Sequence, residues 1–136
     1  MNVIVANKQK DIIDNANIDA IKDFNGLFNV EDLISKFKNY FFSKIILDAT
    51  SIVNFTSKDV LGKLANEIGS ERLIILLPQG EEPPKSFTDL LISLKIYNFS
   101  TNIDDIVKFI NNPNTYENVT SNEENSGNNS FYVDNS

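Results

Sequence analysis

Lys44-Ile45-Ile46-Leu47-Asp48 and Arg72-Leu73-Ile74-Ile75-Leu76-Leu77-Pro78 decide the fold. Neither run alternates apolar with polar residues, which is the pattern of central parallel strands covered on both faces. The residues between them read as a helix. Thr56 or Ser57 caps it, Val60, Leu61, Leu64, Ala65 and Ile68 supply a buried stripe, and Gly69 ends it. A strand, a helix and a second strand in that order form one right-handed parallel crossover.

Working outward, the same alternation continues in both directions. Toward the amino end, Val3-Ile4-Val5-Ala6 reads as a first strand, followed by a helix carrying Ile12, Ile13, Ala16 and Ala20. Gly26-Leu27-Phe28 is the expected second strand. Asn29 then caps a helix with Glu31 and Asp32 in its first turn and Leu33, Ile34 and Phe37 on its buried stripe. Toward the carboxyl end, the rigid acidic loop Gln79-Gly80-Glu81-Glu82-Pro83-Pro84 leads into a helix with Phe87, Leu90, Leu91 and Leu94. Leu94 to Phe99 is expected as an edge strand. Thr101 or Asn102 caps a last helix with Ile103, Ile106, Val107 and Ile110, closed by Asn112-Pro113. Five strands and five helices in alternation predict an α/β fold: a flavodoxin-like, receiver-like, doubly wound parallel sheet of order 2-1-3-4-5.

The chain has 136 residues, room for one domain, and its 41% hydrophobic content supports a core. Residues 120–130 contain no apolar side chain, so the expected division is a receiver-like domain over 1–119 and a disordered acidic tail or linker over 120–136. The formal net charge is −7, and the acids beyond Pro113, unaccompanied by Lys or Arg, account for four of those seven charges. Such a balance lacks the basic surface that nucleic acid requires. No run approaches the roughly 20 apolar residues of a membrane span, and the opening residues lack the pattern of a signal peptide. Cytoplasmic localisation without membrane insertion is the expectation. The richness in Asn, Ile and Lys fits an AT-rich bacterial genome.

Histidine, cysteine and tryptophan are absent. Their absence excludes zinc sites of the Cys/His type, Ser-His-Asp triads, thiol catalysis and disulfides. Neither G-x-x-x-x-G-K-[ST] nor G-x-G-x-x-G occurs. Adjacent carboxylates such as Asp104-Asp105 diverge by about 100° on a helix and serve as solvated charges. In an open α/β sheet the functional crevice lies beyond the carboxyl ends of the strands. Asp48 ends the clearest strand there, either as a phosphoacceptor or magnesium ligand or as the cap of its own loop. Asn7-Lys8 provides no further carboxylate for a metal ion. No cofactor, metal or catalytic residue is expected.

The segments MNVIVANKQ, KIILDAT and RLIILLP, together with LLISLKIYNFSTNIDDIVKFINNPNTYENV over residues 90–119, resemble a response-regulator receiver domain. The resemblance is to the atypical form, or pseudo-receiver, found N-terminal to ParA/MinD-like ATPases of the TadZ/CpaE type. Asp48 matches the phosphoacceptor position of that family. Asn7-Lys8 stands where receivers carry an acidic pair, Leu77-Pro78 where they carry a hydroxyl, and Asn98-Phe99 where they carry a lysine, with Lys95 earlier in the chain. The resemblance therefore implies a non-catalytic module for protein recognition or localisation, with an attached or partner ATPase of pilus, secretion or conjugation machinery. Phe87, Tyr97 and Phe99 are its implied contact residues, toward a protein partner or a second copy. An alternative is a switch phosphorylated on Asp48. Asp48 to Val60 is also similar to the signature D-L-S-G-V-x-x-I-D-S-S-G-L of STAS domains, which would make Ser57 a regulatory hydroxyl. Thr56 and Asp59 replace its Asp and Gly.

Overall fold

The structure, a computed structural model, describes residues 1–121. Its strands are β1 (Asn2–Ala6), β2 (Lys22–Asn25), β3 (Lys44–Asp48), β4 (Leu73–Leu76) and β5 (Phe99–Ser100). All pair in parallel, in the order β2-β1-β3-β4-β5, which is the expected doubly wound α/β arrangement. The register sets Val3 beside Ile45 and Ile45 beside Leu73, so the apolar runs of three neighbouring strands stack in rows.

The helices are α1 (Lys10–Asn15), α2 (Val30–Phe37), α3 (Lys58–Leu64), α4 (Lys85–Ser93), α5 (Ile103–Asn111) and α6 (Tyr116–Ser121). Alternation along each strand sends successive side chains to opposite faces. Val3, Val5, Ile45, Leu47, Leu73 and Ile75 meet Leu33 of α2, Leu61 and Leu64 of α3, and Leu91 of α4. Ile4, Ile46, Ile74 and Leu76 meet Ile13 of α1 with Ile106 and Phe109 of α5. Each fully buried aliphatic side chain contributes about 1.5–3 kcal/mol, so these two layers hold the fold.

Local signals act as the sequence suggests at several ends. The Ser57 hydroxyl accepts from the Val60 N–H, and the Asn102 side chain accepts from the Asp104 N–H. Helix α3 widens into a π-turn over Ala65–Gly69, and Gly69 turns the chain at φ +109°.

Elsewhere the structure corrects the expected boundaries. The second strand is Lys22–Asn25 rather than Gly26-Leu27-Phe28. Gly26 stands at φ +136°, outside extended geometry, and Phe28 makes only a bridge to Ile52. The expected strand from Leu94 is largely loop, because α4 runs on to Ser93 and Lys95 adopts φ +63°. Helix α1 stops at Asn15, and Asn17 follows in left-handed geometry. Helix α6 is an addition. Thr115 Oγ1 accepts from the Asn118 N–H while Asn118 Oδ1 accepts from the Thr115 N–H, a reciprocal cap. Helical backbone thus runs through Ser121; the remainder of the expected tail, 122–136, lies outside the described residues. Among the described residues no helix is long and apolar enough to cross a membrane.

Candidate functional site

Asp48 is the last residue of β3 and is 0% exposed. Burying a carboxylate demands hydrogen bonds to its charge, and the loops after β1 and β3 supply them. Its Oδ2 accepts from the backbone N–H groups of Asn7 and Gln9, both at 2.9 Å. Its Oδ1 accepts from the Thr50 N–H at 3.0 Å, the Thr50 hydroxyl at 2.8 Å and Gln9 Nε2 at 3.0 Å. Five donors meet a group with about four lone-pair positions.

Gln9 extends this arrangement to the next strand. It is 6% exposed, and its Nε2 also lies 3.4 Å and 3.3 Å from the carbonyl oxygens of Leu76 and Leu77. Its Oε1 accepts from the Gln79 N–H at 3.0 Å, which fixes the orientation of the amide. Thr50 completes the ring. Its Oγ1 accepts from the Lys8 N–H, and its carbonyl accepts from Asn7 Nδ2. The 3₁₀ turn Ala49–Ser51 closes beneath, with Ser51 Oγ donating to the Asp48 carbonyl at 2.6 Å.

The loops after β1, β3 and β4 are therefore tied through one carboxylate and one amide. A cation or a phosphoryl group approaching Asp48 would have to displace Gln9 first. Among the described residues no three acidic side chains gather to hold a metal ion. Ser57 lies apart from this hub and is engaged as the cap of α3.

The three aromatic residues expected on a contact face separate. Phe87 is 6% exposed and belongs to the core, edge-on to Phe55 with ring centroids 6.0 Å apart. Its position in α4 turns it toward the sheet and away from any surface. Tyr97 and Phe99 are half-buried. Tyr97 meets Tyr116 of α6 at 6.1 Å, and Phe99 lines a cleft of about 450 Å³ with Lys85, Ile92, Asp105, Lys108 and Val119. Asn114 binds this edge. Its Nδ2 donates to the Tyr97 carbonyl at 3.0 Å, and its N–H donates to Asn98 Oδ1 at 2.6 Å.

Gln9, Thr50 and Asn114 escape a reading of the sequence by chemical type, since none is a customary catalytic or metal-binding residue. The available signal was indirect: a buried Asp48 requires donors, and Gln9 follows the first strand closely. Comparison with family models, curated proteins and solved structures returns no match for this chain.

Proposed function

We propose that this chain is a receiver-like module without catalytic activity that recognises a protein partner or a second copy of itself, and so positions or regulates a larger assembly such as an ATPase. The observation that carries the reading is the saturation of Asp48. A phosphoacceptor must present a carboxylate oxygen to the incoming phosphorus and share another with a cation. Here both oxygens are engaged by Asn7, Gln9 and Thr50, and Gln9 fills the space between the loops. In this reading Asp48 serves as a clasp, and recognition falls to the edge formed by Tyr97 and Phe99.

Two measurements test the reading. The full chain titrated with magnesium and beryllofluoride, followed by amide NMR, should show no shift at Asn7, Gln9 or Thr50. A saturable, magnesium-dependent shift at these amides would replace the module with a phosphorylated switch. The double variant Tyr97→Ala/Phe99→Ala should lower self-association or partner recruitment while the fold persists by circular dichroism. Unchanged association would remove this edge from the proposal.

A further inference from the structure

The opposite end of the sheet carries a second feature. Although the chain is acidic, no Asp or Glu occurs from Leu33 to Leu47, whereas Lys36, Lys38 and Lys44 are interleaved with Phe37, Tyr40, Phe41 and Phe42. The structure makes this run the last turns of α2, the loop that follows and the start of β3. Phe37 and Phe42 turn inward, their rings 5.3 Å apart, and Phe24 meets Phe37 and Tyr40 edge-on at 5.7 and 5.8 Å. Phe41 does the reverse. It is 92% exposed, at the tip of a loop anchored by aromatic packing on both sides, and Tyr40 beside it is 37% exposed.

Cations contact the rings beneath this tip. Lys22 lies 5.7 Å from the Phe24 ring centroid, and the Arg72 guanidinium sits 4.1 Å over the Phe42 ring while donating to the Phe42 carbonyl at 2.7 Å. Lys44 reaches the Glu71 carbonyl. Ion pairs among the described residues join Lys10 to Asp14, Lys63 to Glu31 and Lys85 to Asp89, so Lys22, Lys36, Lys38 and Lys44 take no part in them. The acids on the segments at this end are Asp14, Asp19, Asp23, Glu67 and Glu71, and Asp14 is paired with Lys10. Asp23 acts on Lys10 of α1, on the face away from Phe24.

A protruding aromatic ring in a run that carries lysines and no acid matches a surface that is apolar within and anionic outside. Interfacial regions of bilayers have that composition: aromatic rings lodge at headgroup depth, and lysines near the surface are drawn to anionic lipid. Single-stranded nucleic acid fits less well, because successive bases need a platform of several exposed rings, and the Phe37 and Phe42 rings are turned into the protein. We propose that the Lys36–Lys44 loop docks peripherally on an anionic phospholipid surface, with Phe41 entering the interface and Lys22, Lys36, Lys38 and Lys44 facing the headgroups. No segment spans the bilayer in this arrangement, and the Asp48 clasp lies at the other end of the strands, away from the lipid.

The test uses the full 136-residue chain and vesicles of phosphatidylglycerol mixed with phosphatidylcholine, against phosphatidylcholine alone. Co-sedimentation is expected with the anionic vesicles only and should disappear in high salt. Lys36→Gln/Lys38→Gln should weaken it about thirtyfold, and Phe41→Ser about tenfold; both sites are exposed, so thermal melting should be unchanged. Because the chain has no tryptophan, Phe41→Trp supplies a single reporter whose emission should shift to the blue on anionic vesicles. Equal binding to neutral vesicles, no binding to either at low salt, or variants that bind like the parent would overturn the proposal. Binding to a single-stranded oligonucleotide in place of vesicles, with loss in the same variants, would overturn it in favour of nucleic acid.

Discussion

Replacing Asp48 by Asn preserves its shape while removing one acceptor oxygen. With the new amide nitrogen in the place of Oδ2, it would face the N–H groups of Asn7 and Gln9. Neither backbone group can become an acceptor, so two buried donors lose their partner. With the amide rotated, the nitrogen would face the Thr50 N–H and Gln9 Nε2, and Gln9 could turn only by giving up its bonds to Gln79 and the β4 carbonyls. Either arrangement leaves about two buried donors unsatisfied at about 1–3 kcal/mol each, so Asp48→Asn should cost about 4 kcal/mol. Against a total stability of about 5–15 kcal/mol this is a large fraction. With a urea dependence of about 1.5 kcal/mol/M, the unfolding midpoint followed by circular dichroism should fall by roughly 2.5 M. The melting temperature should fall by roughly 15 °C. A phosphoacceptor crowded by other carboxylates behaves oppositely, because neutralising it relieves repulsion between like charges. A loss below about 1 kcal/mol, or a gain in stability, would refute the assignment of Asp48 as a structural clasp.

Two glycines should respond with opposite signs. Gly62 lies inside α3 with no atom within 4 Å of an added Cβ, so Gly62→Ala should stabilise by up to about 1 kcal/mol in urea unfolding. Gly69, at φ +109°, would bring a Cβ to 2.9 Å from Glu71 Oε1, so Gly69→Ala should destabilise by about 1–3 kcal/mol in the same assay. The exposed Glu31–Lys63 pair, 2.8 Å apart, gives a titration test. Hydrogen bonding from Lys63, more than its charge, holds the Glu31 carboxyl below its ordinary value. A lowered folded pKa contributes stability that is present above the unfolded value and is lost as pH falls through the folded one. Lys63→Gln should return the Glu31 titration, followed by NMR, toward the ordinary carboxylate range; an unmoved titration would discard the pair.

The central strands were legible because β3 and β4 are buried on both faces and their sequences are continuously apolar. The edges were not. Lys22-Asp23-Phe24-Asn25 is mostly exposed and needs no apolar run, since pairing with β1 alone holds it extended. The Leu94–Phe99 stretch imitates a strand through Leu94, Ile96 and Phe99, yet Ile96 is buried beneath the end of a helix rather than on a pleat. The reciprocal cap that opens α6 was present in Thr115-Tyr116-Glu117-Asn118, but the polar residues that follow mask it. At the candidate site, the position of Asp48 could be read from the strand pattern. Most of its partners could not, because three of its five donors are the backbone N–H groups of Asn7, Gln9 and Thr50, which every non-proline residue carries.

The seam made by Asn114 bears on how open this side of the sheet is to strand pairing. An outer strand with open N–H and C=O groups is a template on which foreign chains, or copies of the same chain, can polymerise. Here the strand is cut to two residues, Asn98 and Ser100 direct their carbonyls inward to Ile75 and Leu77, and Asn114 covers the outward carbonyl of Tyr97. Phe99 is left as a single rung, too short to seed a ladder. At this edge the sheet offers little backbone on which a further strand could pair.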